Sequence, residues 1–124
     1  MGLIGPTVVY FSTEWSSTDD SLTRRLAEAG VVVQACMTEA FAAPERLSPT
    51  IAIVHVQARG DLDLVAQLCG QAVAAIVALT PAAESDLRIE ALEIGADDAV
   101  DRGITGRELL ARIRRLRKLS KPYR

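Results

Sequence analysis

The chain has 124 residues, of which 49% are hydrophobic and 24% charged, and its formal net charge at pH 7 is −2. This length suits one domain with its own core, and the composition excludes an intrinsically disordered chain. No apolar run approaches the ~20 residues of a membrane helix, and the first residues lack the charged and apolar regions of a signal peptide. Cys36 and Cys69 stand in no metal-like spacing, so we expect two buried thiols in the reducing cytoplasm.

The charge is unevenly divided along the chain. Residues 102–124 carry nine Lys or Arg and one acid, a net charge of +8, whereas the remaining residues hold five bases and fifteen acids, a net charge of −10. A basic end can contact nucleic acid or a membrane surface. A single charged helix face is weak evidence for either, so we favour a solvated helix that runs into a linker and expect no membrane partner.

Apolar periodicity divides the chain into alternating strands and helices. Strand patterns occupy residues 7–11, 31–35, 50–56 and 72–79, and a short fifth strand is centred on Val100. Helical patterns occupy residues 18–29, 38–47, 61–69, 84–94 and 105–118. This alternation predicts a parallel sheet with helices on both faces and right-handed crossovers. We expect a three-layer α/β/α, flavodoxin-like domain with five strands in the order 2-1-3-4-5.

Functional groups in such a sheet cluster at the carboxyl ends of its strands. Here those ends are residues 12–14, 55–57, Thr80 and 101–102. Asp19 and Asp20 fall in the first turn of the first helix, where acidic side chains complement the helix dipole. The sequence alone therefore places the candidate site at one edge of the sheet.

The most specific sequence motifs lie in the last third of the chain. They are ALEIGADDAVDR at residues 91–102 and ELLARIRR at residues 108–115. Gly95 is placed to end a helix, and Thr105 with Glu108 forms a capping box for the next one. This stretch resembles the last third of a bacterial response-regulator (CheY-like) receiver domain, and the layout of elements resembles that family over nearly the whole chain. The resemblance implies a receiver domain over residues 1–119, with 120–124 as the start of a linker or tail.

The resemblance also shows what the phosphorylation pocket lacks. A working receiver has an acceptor Asp after the third strand, two acids after the first that hold Mg²⁺, a hydroxyl after the fourth and a Lys after the fifth. The matching positions here hold His55, Glu14 as the one acid, Thr80 and Arg102. An imidazole cannot form an acyl phosphate, Arg presents a fixed planar fork, and one carboxylate is a poor Mg²⁺ site. The resemblance therefore implies a degenerate pseudo-receiver with no catalytic residue, metal or cofactor.

His55 has three interpretations. We favour a packing residue at a buried strand end, ahead of a pH-sensitive or ligand-binding role, and a phosphohistidine is the least favoured.

The resemblance is to the OmpR/PhoB-like subfamily, whose members dimerise through the fourth helix, fifth strand and fifth helix with symmetric salt bridges. The matching positions hold Arg88, Asp97, Asp98, Glu108, Arg112 and Lys118. The resemblance pairs Arg88 with Glu108, Asp98 with Arg112, and Asp97 with Lys118 across a two-fold axis. A monomer whose surface charges are ordinary is the alternative.

The apolar centre of this dimer would be Ile89, Leu92 and Ala111, because exposed charge pairs contribute only ~0–1 kcal/mol each. Ala99 stands where the family has an aromatic residue, so the aromatic part of the family's switch is absent.

We therefore expect a non-enzymatic signalling domain that acts through dimerisation or protein interaction, independently of aspartyl phosphorylation. The resemblance implies a DNA-binding output domain after Arg124, and a histidine kinase or another signalling protein as partner. Two other classes stay open. One is a stand-alone adaptor or ligand sensor that binds a small anion near Arg102 and Thr80. The other, a flavodoxin-like enzyme or nucleotide binder, is disfavoured because no Gly-rich loop follows the first strand.

Overall fold

The computed structural model describes residues 8–37, 51–70, 73 and 75–119. The strands are β1 (Val8–Ser12), β2 (Val33–Met37), β3 (Ile51–His55), β4 (Ala75–Thr80) and β5 (Asp98–Asp101). The helices are α1 (Ser17–Glu28), α2 (Leu62–Cys69), α3 (Ser85–Ile94) and α4 (Gly106–Leu119), and a 3₁₀ turn at Arg59–Asp61 precedes α2. None of the described helices is long and apolar enough to span a membrane.

The five strands form one parallel sheet in the order β2-β1-β3-β4-β5, which confirms the predicted fold class. The helices α3 and α4 are the fourth and fifth of the predicted series. The predicted helix at 38–47 and the tail at 120–124 lie outside the described residues. The register places Ser12 beside His55, and His55 beside Leu79.

One predicted strand is displaced. We expected the second strand at 31–35, but β2 occupies Val33–Met37. Gly30, with a φ of +89°, reverses the chain direction after α1. The amide of Val31 then donates to Leu26 O of α1 at 3.0 Å, so it is not available to the sheet. Pairing with β1 therefore begins only at Val33, which lies beside Val8.

The prediction of two buried thiols is wrong for Cys69, which is exposed, while Cys36 is partly buried. Cys69 is the last residue of α2, where the helix has reached the surface, and its Sγ lies 3.6 Å from Ile94 O. Gly95 ends α3 as predicted, with a φ of +138° that glycine adopts without strain.

The core has two layers, one on each face of the sheet. Alternate strand residues such as Val9, Phe11 and Val54 face α2 and α3, whereas Tyr10 and Ile53 face α1 and α4. Because side chains alternate along a strand, the residues that follow Tyr10 and Ile53 by two positions come to the α1 side at the carboxyl edge. Those residues are Ser12 and His55.

The close approach of α4 to α1 depends on a glycine. A Cβ at Gly106 would lie 2.6 Å from Arg25 Cβ and 2.8 Å from its Cγ. Neither of these atoms is the far end of the arginine side chain, so the two helices would have to move apart.

We predict that Gly106→Ala lowers the free energy of unfolding by ~1–3 kcal/mol, the usual effect of overpacking, although alanine is the better helix former. Urea unfolding followed by circular dichroism measures the change. Gly60→Ala is the matched control, because a Cβ at Gly60 meets nothing within 4 Å. Equal midpoints for the two variants would contradict the prediction.

Candidate functional site

A carboxylate fully buried from solvent lies at the carboxyl edge of the sheet. Asp19, in the first turn of α1, has 0% of its surface exposed. Its Oδ1 accepts hydrogen bonds from the Tyr10 hydroxyl at 2.5 Å and from His55 Nδ1 at 2.9 Å. Its Oδ2 accepts from Ser12 Oγ at 3.0 Å, and from the Ser16 amide and hydroxyl at 2.9 and 3.2 Å. Five donors from two strands and a helix start thus converge on one side chain.

Local sequence explains how Asp19 reaches this position. Ser16 precedes the helix with an extended backbone (φ −128°, ψ 175°), and Asp19 is the third helical residue. That spacing is the one in which an acidic side chain reaches back to the N-cap amide. The alternation of β1 turns Tyr10 and Ser12 toward α1, so the same carboxylate also meets the strand.

Hydrogen-bond donors around Asp19 keep its carboxyl group ionised. Burial by itself raises the pKa of the Asp19 carboxyl, but the hydrogen bonds from Tyr10, Ser16 and Ser12 and the neighbouring His55 outweigh burial and hold that pKa below its usual value. Burial, together with the adjacent carboxylate, raises the pKa of the Tyr10 phenol. At neutral pH, Asp19 is therefore an ionised acceptor and Tyr10 a neutral donor.

His55 is buried, with 1% of its surface exposed, and it uses one ring nitrogen. Because Asp19 can only accept, His55 Nδ1 must carry the proton, and in the neutral ring Nε2 is then an acceptor. This Nε2 has no hydrogen-bond partner among the described residues. The described residues therefore satisfy one of the two ring nitrogens of His55.

Hydrogen bonds link the loop that follows β1 to the loop that follows β3. Thr13 Oγ1 donates to Asp61 Oδ1 at 2.7 Å, and the other Asp61 oxygen accepts the amides of Gln57 and Ala58 at 2.8 and 3.1 Å. The Gln57 side chain donates to Glu14 O and accepts from Glu14 N, both at 3.3 Å. Glu14 therefore contributes its backbone to this junction, while the residue as a whole is exposed.

Thr80 and Arg102 lie toward the other edge of the sheet. The Thr80 hydroxyl is buried and donates to Val100 O at 3.4 Å, and the Arg102 amide donates to Thr80 O at 2.8 Å. Arg102 lines a cleft of about 500 Å³ with Ser17 and Ser21 of α1, and Thr80 does not line it. The structure therefore gathers His55 into the buried cluster, but it does not bring the side chains of Thr80 and Arg102 to one ligand position.

Of the predicted interface residues, Arg88 lies on α3, Asp98 on β5, and Glu108 and Arg112 on α4. Arg112 donates to Asp98 Oδ2 at 2.9 Å and to Glu108 Oε2 at 3.0 Å, both within the same chain. Asp97 bonds to the backbone of Ile76 in β4, its amide to Ile76 O and its Oδ2 to Ile76 N, each at 2.8 Å. Asp97 thus links the start of β5 to β4. The side chain of its predicted partner, Lys118, lies outside the described part of the chain.

An open cleft of about 490 Å³ lies among α3, β5 and α4. Arg88, Glu108 and Arg112 line it, together with the small side chains of Ala82 and Ala99. Ile89 and Leu92 stand beside Arg88 on α3, with 52% and 48% of their surface exposed.

Sequence reasoning placed Ser12 at the carboxyl edge of the sheet but missed Asp19 and Tyr10 as site residues. Two signals were available, the Ser16–Asp19 spacing and the alternation of β1. The sequence alone did not show that these two features converge on His55. Among the described residues no group of three or more His, Cys, Asp or Glu side chains could hold a metal ion.

No protein-family model matches the sequence, and no curated protein matches it. Solved structures do resemble the fold. Full-length FixJ from B. japonicum aligns with a TM-score of 0.73 and 21% identity, over 94% of this chain and 60% of FixJ. DrrB, an OmpR/PhoB homolog from Thermotoga maritima, aligns with a TM-score of 0.72 and 15% identity, over 95% of this chain and 55% of DrrB.

A third similar structure is that of an atypical orphan response regulator, which is described as having a phosphorylation-independent regulatory mechanism. It aligns with a TM-score of 0.70 and 16% identity, over 90% of this chain and 94% of its own. The chain spans less than two thirds of FixJ and of DrrB. The similar structures are response-regulator receiver domains, and at these identities the likeness establishes a shared fold.

We predict that Asp19→Asn destabilises the fold by ~1–3 kcal/mol at pH 7, because an amide nitrogen would face donors that need an acceptor. The folded pKa of Asp19 lies below the unfolded value of about 3.9, so its stabilisation is present above that pH and is lost as the pH falls through the folded pKa. The urea midpoints of wild type and variant should therefore converge as the pH falls from 7 to 3.

Circular dichroism at each pH provides the measurement. Asp86→Asn is the matched control, because Asp86 is also in the first turn of a helix but is exposed. A gap between wild type and Asp19→Asn that stays constant from pH 7 to 3 would contradict the assignment of a buried charge.

Proposed function

We propose that this chain is an atypical receiver domain of the response-regulator family, which signals by protein contact and not by phosphorylation of an aspartate. The observation that carries the proposal is His55. It occupies the position that the sequence resemblance gives to the acceptor, at the end of β3, and it is buried and bonded to Asp19.

The neighbouring acids do not offer a replacement acceptor. Asp19 is enclosed and already accepts five hydrogen bonds. Asp61 accepts from Thr13, Gln57 and Ala58. Glu14 is exposed, on a loop whose backbone is held by Gln57. Phosphoryl transfer needs an acceptor carboxylate that is free to react and that lies next to groups that neutralise the phosphoryl charge. Asp19 and Asp61 are not free, because hydrogen bonds occupy their oxygens, and Glu14 lies exposed on a loop.

The contact that we propose is a two-fold dimer through α3, β5 and α4. Ile89 and Leu92 provide an exposed apolar patch. The amide of the half-buried Arg88 donates to Glu84 O, but its side chain has no hydrogen bond or ion pair with a described residue. A two-fold axis through this patch would let Arg88 of each copy meet Glu108 of the other. Asp98 and Glu108 both already accept from Arg112 within each chain, so their pairing across the axis would exchange or share those bonds. The proposal therefore relies on Arg88, whose side chain has no such bond among the described residues.

The same proposal includes an output and an input by analogy with response regulators. The output is a DNA-binding domain in the full-length protein, whose activity the dimer would control, and the input is a histidine kinase or another signalling protein in the cytoplasm. DrrB, one of the similar structures, is an OmpR/PhoB homolog, which favours this arrangement over the stand-alone adaptor.

We predict no stable phosphorylation by acetyl phosphate in the presence of Mg²⁺, because the acceptor position holds an imidazole that cannot form an acyl phosphate. Intact-protein mass spectrometry after incubation is the measurement, and the expected result is an unchanged mass. A phosphate-sized adduct that hydroxylamine removes, as it does an acyl phosphate, would show that one of the acids is an acceptor after all.

We predict a dimer without any phosphate donor, measured by sedimentation equilibrium. Leu92→Glu should raise the dissociation constant at least ~10-fold, because each dimer would bury two such side chains at ~1.5–3 kcal/mol each. Val32→Glu is the matched control, since Val32 is 51% exposed and lies at the opposite edge of the sheet.

The charge contact has its own test in the same experiment. Arg88→Glu should weaken the dimer without disturbing a bond inside the described chain, and the further change Glu108→Arg should partly restore it. A wild type that stays monomeric at high micromolar concentration, or Leu92→Glu and Val32→Glu variants that behave alike, would refute the interface.

A further inference from the structure

The buried cluster has the architecture of an anion-binding site. Tyr10 and Ser12 come from β1, Ser16 from the start of α1 and His55 from β3, and each directs a donor at one point. Ser12 and His55 are themselves 0% and 1% exposed. Ser16, at the helix start, is exposed. Converging donors stabilise a negative charge, and hydrogen bonds to an ionised acceptor are about twice as strong as neutral ones.

We propose that Tyr10, Ser12, Ser16 and His55 form a binding site for a small carboxylate, and that the Asp19 side chain is its built-in occupant. Asp19 is then an autoinhibitory contact: while its carboxylate fills the site, an external anion has no place there. This inference does not depend on dimerisation or on membership of a signalling family.

The donors need an occupant of this chemistry. If the carboxylate were withdrawn, the Tyr10 hydroxyl, the Ser16 amide and His55 Nδ1 would be left around a gap of about the size of a carboxyl group, which is buried on the side of Tyr10 and His55. Buried gaps lined by polar groups fill with water or with a ligand, whereas apolar ones stay dry. A small carboxylate offers the same two oxygens and the same charge as Asp19, so it should compete well with water.

The surrounding loops explain why the site is closed in this state. The bonds of Thr13 with Asp61 and of Glu14 with Gln57 join the loop after β1 to the loop after β3. Asp19 lies on the helix that follows the first of these loops. An external anion would therefore enter only if the start of α1 moved away, or if the Asp19 side chain were removed.

Asp19→Ala provides the test, with sodium formate as the ligand and sodium chloride at the same concentration as the reference. We expect the variant to melt below wild type in chloride. Formate should then raise its melting temperature, by about 4 °C or more at saturation, because a ligand that binds only the folded state stabilises it. Wild type should show no difference between the two salts.

Three comparisons make the result specific. Asp86→Ala removes an exposed carboxylate from the first turn of α3 and should respond equally to formate and chloride. Adding Tyr10→Phe to Asp19→Ala removes one donor and should weaken formate binding several-fold. Acetate and inorganic phosphate, titrated in parallel, separate a site that fits only the smallest carboxylate from one that accepts a larger oxyanion; the proposal expects formate to bind best.

If Asp19→Ala is too unstable to purify folded, the folded fraction recovered on dilution from urea into formate or chloride gives the same comparison. Trp15 is the only tryptophan, and its ring centre lies 5.4 Å from that of Tyr10, so its fluorescence reports on this cluster. Equal melting temperatures and equal folded fractions in the two salts would overturn the proposal, as would a formate response that Tyr10→Phe leaves unchanged.

Discussion

A negative charge that is shut off from water can persist only if the protein supplies the donors that water would have supplied. Asp19 meets this condition with five hydrogen bonds, and the elements that provide them are fixed relative to one another as a result. The carboxylate holds α1 against β1 and β3, and it sets the ring tautomer of His55. The Tyr10 hydroxyl and the Ser12 hydroxyl also find their partners there.

This arrangement changes what the carboxyl edge of the sheet can do. An acid that projects from a strand end into solvent can bind a cation, whereas the charge of Asp19 is already stabilised by hydrogen-bond donors of the chain itself. On α3, by contrast, Ile89 and Leu92 are exposed, and the half-buried Arg88 lies beside them. The donors at these strand ends are thus already used within the chain, and the association proposed for this chain uses the face formed by α3, β5 and α4 instead.

The sequence predicted the architecture well, because alternating apolar runs determine which segments are strands, and right-handed parallel connections leave few ways to order them. The displacement of β2 was not predictable from apolarity, since the chain at Val31 remains engaged by the end of α1. The role of Asp19 was also hidden. An aspartate in the first turn of a helix is ordinarily exposed, and only the tertiary placement of α1 over His55 shows that this one is buried.

The bond between Asp98 and Arg112 illustrates the same difference between pattern and geometry. Matching charges on one face indicated pairs between two copies, but the crossing of β5 and α4 brings these two side chains together within one chain. With 22% and 38% of their side-chain surfaces exposed, they form a bond that contributes only ~0–1 kcal/mol and could be exchanged for an equivalent one across an axis at little loss. In the proposed dimer, charge pairing would therefore set the register, while the apolar area of Ile89 and Leu92 would determine whether two copies associate at all.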